Sequence, residues 1–184
     1  SQGDMFITCA TIAQSYLLLI TSSMIGISGG TQAILSYNYG ARRADRVKDA
    51  ERNILGVMLI FTTIMFLLSR LVPRYFVLLF TSDPQYISFS VWAIHTYTLM
   101  IIPLSFQYVF VDGLTALDRP KTGLALSVTR KSLFVLSAAI LPVFFDAKAA
   151  FFAEPVADGV CSVLSTVVFL LLINRHLQKR CQTV

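Results

Sequence analysis

The chain alternates between long apolar runs and short polar, mostly basic connections. A segment of about 20 apolar residues is long enough to cross a hydrocarbon core of roughly 30 Å, and windows of that length predict five membrane-spanning helices. These five runs are Met5–Ile27, Asn53–Val72, Ile87–Val111, Gly123–Phe145 and Ala153–Ile173. The pattern therefore predicts an all-α, polytopic transmembrane helix bundle that forms one domain over residues 1–184.

Composition supports a membrane protein and leaves little room for anything else. Of the 184 residues 55% are hydrophobic and only 14% are charged, and the mean hydropathy is +0.70, far from the average of soluble proteins. Five crossings use most of this length, so no catalytic domain outside the membrane is expected. The sequence also has no phosphate-binding loop, H-E-x-x-H or G-x-S-x-G motif. We therefore do not expect an enzyme.

The basic residues are distributed unevenly between the two ends of the predicted helices. The first, third and fifth connections contain Arg42, Arg43, Arg46, Lys48, Arg52, Arg119, Lys121, Arg130, Lys131, Arg175, Lys179 and Arg180, and the other end has Arg70, Arg74 and Lys148. Cytoplasmic connections carry the excess of Lys and Arg, so we expect a multi-pass plasma membrane protein with a cytoplasmic C-terminus. Nucleic acid is not an expected partner, because the basic residues do not share one soluble surface.

The start of the chain predicts that helices precede it. The sequence begins Ser1-Gln2-Gly3-Asp4, without a Met or a signal peptide. The charge distribution nevertheless places Ser1 outside, so we expect this chain to be a fragment of a longer polytopic protein.

Two charged segments need an explanation in an apolar chain. Arg130 and Lys131 interrupt the fourth run, where each charge is costly at a helix centre, and they are expected to extend toward the nearer interface. The stretch Arg42–Arg52 mixes both signs of charge and includes Glu51. It is interpreted as a solvated amphipathic helix at the membrane surface.

Hydroxyl side chains recur on one face of the first run. Thr8, Thr11, Ser15 and Ser22 are spaced by three, four and seven residues, which places them on one side of a helix. They either line an aqueous cavity or pack closely while bonding their own backbone.

The third run combines a polar stripe with a proline. Thr98, Ser105 and Asp112 are seven residues apart, and His95 precedes them. Pro103 between them is predicted to bend the helix and to free a backbone carbonyl. A bent helix with a polar stripe suits a substrate pathway, although Asp112 could instead be solvated or paired with a nearby arginine.

Two carboxylates open the fifth run. Glu154 and Asp158 are four residues apart and share a helix face, and neighbouring carboxylates raise each other's affinity for protons. Such a pair could exchange H⁺ or Na⁺ for a cationic solute. Alternatively, Glu154 lies at the interface and favours the positive helix N-terminus, while Asp158 packs against a hydroxyl.

Four segments resemble one family of transporters. GISGGTQAILSYNYGARRADRVKD, at residues 26–49, resembles the segment after the eighth helix of the multidrug and toxic compound extrusion (MATE) family. LFTSDP at 79–84, GLTALDRPK at 113–121 and EPVAD at 154–158 resemble later segments of that family, in the same order. One departure is Ala33, where the family usually has proline.

The resemblance implies that the chain contains helices eight to twelve of a twelve-helix fold, without the first lobe and the seventh helix. The implied activity is secondary efflux of small cationic compounds, driven by Na⁺ or H⁺ as the coupling ion. Asp158 and Glu154 are then the candidates for cation or proton binding, Gln107 and Asp112 are candidate polar groups of the substrate cavity, and Pro103 is the bend. Expected partners are the lipid bilayer, the missing lobe and cationic substrates, and no cofactor is implied.

Two other functions remain open at this point. A lipid-linked oligosaccharide flippase has the same superfamily architecture, but its cavity should be strongly cationic, and the interior residues here are mostly acidic or neutral. A membrane scaffold would use the polar stripes only to hold helices together.

Overall fold

The computed structural model describes residues 2–181, and it describes side chains for residues 3–173. Within that part the chain is helical and has no strand. The helices are α1 Gln2–Gly40, α2 Ala44–Leu71, α3 Pro73–Val77, α4 Pro84–Tyr97, α5 Ile101–Ala116, α6 Pro120–Phe144 and α7 Ala153–Cys181, with a 3₁₀ helix at Ala147–Phe152. The predicted basic residues after Ile173 and the C-terminus at Val184 lie outside the described side chains.

The number of crossings agrees with the apolar pattern. Helices α1, α2 and α6, and the 3₁₀ helix together with α7, are each long and apolar enough to span a membrane, and α4 and α5 form a fifth span that is bent by 47°. The prediction of an all-α bundle with about five spans is confirmed.

Helix α1 is longer than its apolar run. It continues from the predicted end at Ile27 to Gly40 without a break. Ala33 contributes to this continuity, because alanine provides the backbone N–H that proline would lack. At about 1.5 Å per residue α1 is roughly 58 Å long, so part of it extends beyond the hydrocarbon core.

Helix α2 begins nine residues before the predicted crossing. The stretch Arg42–Arg52 is continuous with the membrane-spanning segment from Ala44 onward. A tight turn joins α1 to α2, with Arg42 at a φ of 57°. The turn between α5 and α6 has the same form, with Asp118 at a φ of 63°. We call the end of the bundle that contains these two turns the basic end.

The start of α4 follows its sequence signals. Pro84 is the first helical residue, and the carboxylate of Asp83 accepts a hydrogen bond of 2.8 Å from the backbone N–H of Gln85. Both features are favourable at a helix N-terminus.

The break in the third span lies at Thr98–Met100, just before Pro103. Pro103 has no N–H to donate to the carbonyl of Leu99, and its ring crowds that carbonyl. The bend is therefore found one turn N-terminal to the proline that the sequence identified.

Helix α5 lies at the centre of the bundle and contacts α1, α2, α6 and α7. Close approach to α6 depends on Gly123, since a Cβ there would lie 2.9 Å from Thr115 Oγ1 and 3.1 Å from the carbonyl of Val111. This arrangement brings the polar residues of α5 next to the charged residues of α6 and α7.

Candidate functional site

Three charged side chains meet in the interior between α6 and α7. Arg130 on α6 donates from Nε to Asp158 Oδ1 at 2.7 Å and from Nη2 to Glu154 Oε1 at 3.2 Å. The Nη2 atom is also 2.7 Å from Asp158 Oδ1. All three residues are buried, with 7%, 4% and 0% exposure for Arg130, Glu154 and Asp158. We call this group the arginine triad.

The triad corrects the sequence interpretation of α6. Arg130 does not extend toward the interface; its guanidinium is held inside the bundle because two carboxylates on α7 compensate its charge. Lys131, its neighbour, is exposed. Arg130 consequently says little about membrane orientation, although the remaining basic residues still lie mostly at one end.

The triad also changes the interpretation of Glu154 and Asp158. The sequence predicted a pair of carboxylates that share a face, and the structure brings them together with a cation already between them. One acceptor is left over: Asp158 Oδ2 is buried and has no hydrogen-bond partner among the described residues. A free cation at this position would have to compete with Arg130.

A pocket of about 230 Å³ adjoins the triad between α1, α5 and α6, and we call it the central pocket. It is lined by Ile25, Gln107, Tyr108, Val111, Asp112, Ser127, Arg130 and Lys131. Gln107 and Asp112, both predicted as cavity residues, lie in this lining. The Arg130 guanidinium carbon lies 5.9 Å from the centre of the Tyr108 ring. The pocket therefore combines an aromatic ring with groups of both charges.

Gln107 is one of the polar residues that line this pocket. Its side chain is only 4% exposed, yet Oε1 has no hydrogen-bond partner among the described residues. Buried amide oxygens are normally satisfied, so this acceptor is available to a ligand or a water that enters the pocket.

Thr98 and Ser105 lie outside the lining of the central pocket. Thr98 donates to Ser69 Oγ at 3.0 Å, and the hydroxyl of Ser105 is 2.8 Å from that of Thr62. All four side chains are fully buried. These two predicted substrate-pathway residues instead join the bent third span to α2, because hydroxyl pairs stabilise helix contacts in an apolar medium.

His95 lies far from the central pocket, on the other side of the break in the third span. Arg70 and Ser69, both on α2, lie near it. The Nε2 atom of His95 and the Nη2 atom of Arg70 are both buried without a hydrogen-bond partner among the described residues. Of the predicted cavity residues, Gln107 and Asp112 thus line the central pocket, and the other three lie outside its lining.

The hydroxyl stripe of α1 faces away from the other described helices. Thr8, Thr11 and Ser22 are exposed. Thr11 donates to the carbonyl of Ile7, and Ser15 donates to that of Thr11. The hydroxyls of Thr11 and Ser15 thus bond their own helix, and the described helices leave this face uncovered.

Sequence reasoning missed the burial of Glu51. The stretch Arg42–Arg52 was interpreted as solvated, but Glu51 is 5% exposed and packs against Gly113 of α5. A signal was present in the sequence: Val47, Glu51, Ile54 and Met58 share one helix face and are all buried.

The sequence matches a protein family and a curated protein. A family model described as MatE matches residues 1–141. Among curated proteins, a protein named FAD transporter from Shewanella oneidensis is 26% identical over 136 residues, which cover 74% of this chain and 29% of that protein.

Solved structures share the fold at low identity. An inward-facing and an outward-facing structure of a multidrug resistance MATE family transporter of the MOP superfamily match with TM-scores of 0.84 and 0.88, each at 15% identity. The matches cover 94% and 96% of this chain and 40% of each transporter chain. A structure described as MATE in complex with MaL6 matches with a TM-score of 0.88, 15% identity and the same coverage, 96% and 40%. The chain therefore spans less than half the length of these proteins.

Proposed function

The chain belongs to the MatE family, and from that premise we propose that it forms one lobe of a secondary active transporter that extrudes small organic cations in exchange for Na⁺ or H⁺ across the plasma membrane. The central pocket is the part of this lobe that contacts the substrate. The observation that carries the proposal is a buried, unsatisfied Gln107 beside Asp112 and the arginine triad, deep within apolar spans. Ionisable and polar groups inside membrane spans are costly and typically functional.

The charges around the pocket favour a cationic substrate. The pocket lining and the triad together contain two cations, Arg130 and Lys131. They also contain three carboxylates, Asp112, Glu154 and Asp158, so one negative charge is in excess when all five groups are ionised. Because Arg130 is occupied by two carboxylates, the groups that remain free to bind a ligand in the pocket include Asp112 and the Gln107 oxygen. An organic cation with a donor N–H satisfies both.

The size of the pocket favours a site shared with a second lobe. A volume of about 230 Å³ is below the roughly 300–1,000 Å³ of pockets that enclose a drug-sized molecule. The lobe also resembles both an inward-facing and an outward-facing transporter, which supports alternating access by movement of whole lobes.

An anionic substrate is the second candidate. The relative named FAD transporter provides one reason, and the presence of Arg130 and Lys131 in the pocket lining provides another. The sequence interpretation of a mostly acidic or neutral interior did not include these two cations. A flavin nucleotide would need Lys131 and a guanidinium released from the triad.

The test uses vesicles that contain the longer protein with both lobes. Efflux of a fluorescent organic cation and efflux of FAD are measured separately, with Na⁺ and proton gradients imposed one at a time, for the wild type, Asp112→Asn and Lys131→Met. We expect gradient-driven efflux of the cation, a loss of at least tenfold in Asp112→Asn and little change in Lys131→Met. Efflux of FAD that fails in Lys131→Met would instead establish the second candidate, and no efflux of either compound would support a scaffold.

Residues 1–184 alone are expected to transport nothing, because one lobe cannot alternate access by itself. Vesicles with only this chain that extrude either compound against a gradient would contradict the proposal.

A further inference from the structure

A buried carboxylate outside the central pocket has no role in the proposed site. Glu51 lies on α2, about 10 Å from the start of that helix at the basic end. It is 5% exposed, and its Oε1 atom is buried without a hydrogen-bond partner in the part of the chain that the structure describes. The structure thus contains two kinds of buried glutamate: Glu154 is paired with Arg130, and Glu51 has no such pairing among the described side chains.

The backbone of α5 is shaped to receive this carboxylate. A Cβ on Gly113 would lie 2.5 Å from Glu51 Oε1 and 3.0 Å from its carboxyl carbon. Any residue other than glycine at position 113 would therefore displace the carboxyl group. The contact seats Glu51 against the central helix, next to Asp112 of the pocket lining.

Among the side chains that the structure describes, residues 3–173, none forms an ion pair that compensates a negative charge on Glu51. From α5, the carboxylate of Asp112 repels it. On α2 itself Lys48 and Arg52 line a cavity of about 310 Å³ beside Glu51, but both are exposed and neither forms an ion pair with it among the described residues. On the α7 side, this cavity is lined by the apolar residues Phe169, Leu170 and Ile173. At the adjoining end of α1 and its turn lie Tyr39, Arg42 and Arg43.

We propose that Glu51, seated against Gly113, is a proton-binding site of this protein, separate from the arginine triad. An ionised carboxylate that is buried without a cation is strongly unfavourable, and such a group takes up a proton instead. The proton comes from water at the basic end, forms an O–H bond on the carboxylate and leaves neutral Glu51 beside Asp112.

This site has a direct use in the transporter proposed above. Glu51 and Asp112 flank the same turn of α5, so the proton on Glu51 sets the charge felt at the central pocket. Release of that proton would make the pocket more negative and favour a cationic substrate. Only this use depends on the proposed function; proton binding itself does not.

Infrared spectroscopy tests the site on the whole chain in lipid nanodiscs. The chain has two glutamates, Glu51 and Glu154, so labelling glutamate carboxyl groups with ¹³C shifts carbonyl bands from these two alone. A solvated glutamate has a pKa of about 4.3 and is ionised at pH 7. We expect a label-shifted band of a protonated carboxyl group at pH 7, lost in Glu51→Gln and retained in the matched control Glu154→Gln.

The control variant keeps the proposal testable even if Glu51→Gln does not fold. In Glu154→Gln the remaining glutamate is Glu51, so its band is read without changing the site. Absence of a label-shifted protonated band at pH 7 in the wild type and in Glu154→Gln would overturn the proposal. A band that persists in Glu51→Gln and disappears in Glu154→Gln would do the same. The test does not measure transport, so its failure is distinct from a failure of the proposed function.

Discussion

The two buried glutamates of this chain lie in opposite electrostatic environments. Glu154 and its neighbour Asp158 surround a guanidinium, and the three side chains together hold α6 against α7. Glu51 lies between α2 and α5 with a glycine in place of a cation. The comparison shows that burial alone does not define a carboxylate's role. The guanidinium gives Glu154 and Asp158 a partner that fixes the geometry of two helices, whereas Glu51 is the carboxylate to which we assign a proton.

The largest expected effect comes from removing the cation of the triad. Arg130→Met leaves Glu154 and Asp158 buried together without a counter-charge, and breaking a buried ion pair in this way costs about 3–5 kcal/mol. The free energy of unfolding in mixed detergent micelles measures the loss. The matched control is Lys131→Met, which removes an adjacent but exposed cation and should change stability by about 0.5 kcal/mol or less. Equal effects of the two variants would contradict a structural role for the triad.

A smaller effect is expected at the glycine that receives Glu51. Gly113→Ala places a methyl group on the carboxylate, and overpacking of this kind costs about 1–3 kcal/mol. Gly159→Ala is the control, because its Cβ would meet Met100 Sδ at an ordinary distance of 3.6 Å.

A double-mutant cycle sharpens that prediction. If the cost of Gly113→Ala arises from Glu51, it should decrease by at least about 0.5 kcal/mol in a Glu51→Ala background, since residues in contact are energetically coupled. An unchanged cost would mean that Gly113 is needed for some other contact.

The smallest effect is expected where two neutral hydroxyl groups join α2 to α5. Ser105→Ala removes the contact with Thr62 Oγ1, and hydrogen bonds between membrane helices contribute about 0.6 kcal/mol on average and at most about 1.7. Ser23→Ala is the control, because Ser23 is exposed and bonds only the Leu19 carbonyl of its own helix. A loss at Ser105 as large as that of Arg130→Met would contradict the ranking of charged over neutral contacts.

The crossings could be predicted because they depend on local properties. The capping pair of Asp83 and Pro84 and the interruption near Pro103 act within one or two helical turns. The apolar runs are likewise contiguous in sequence, and their length can be counted directly. The helix ends at Gly40 and Ala44 were missed because polar sequence beyond an apolar run can remain helical, and hydropathy does not register it.

The candidate site was predicted only in part, for a physical reason. Gln107 and Asp112 were identified and lie together in the central pocket, but Ser105 and Thr98 face α2 instead. Periodicity gives the face of a helix on which a residue lies, and it does not give the neighbour that the face meets.

The sequence by itself determined the membrane class, the helical spans and the resemblance to a transporter family, because these follow from composition, run length and contiguous motifs. Tertiary structure decided which charges are compensated. Arg130 and Asp158 are 28 residues apart, and Glu51 and Gly113 are 62 apart. Electrostatic free energy depends on distances of a few ångströms and on exclusion of water, and only the packed helices bring such distant residues together.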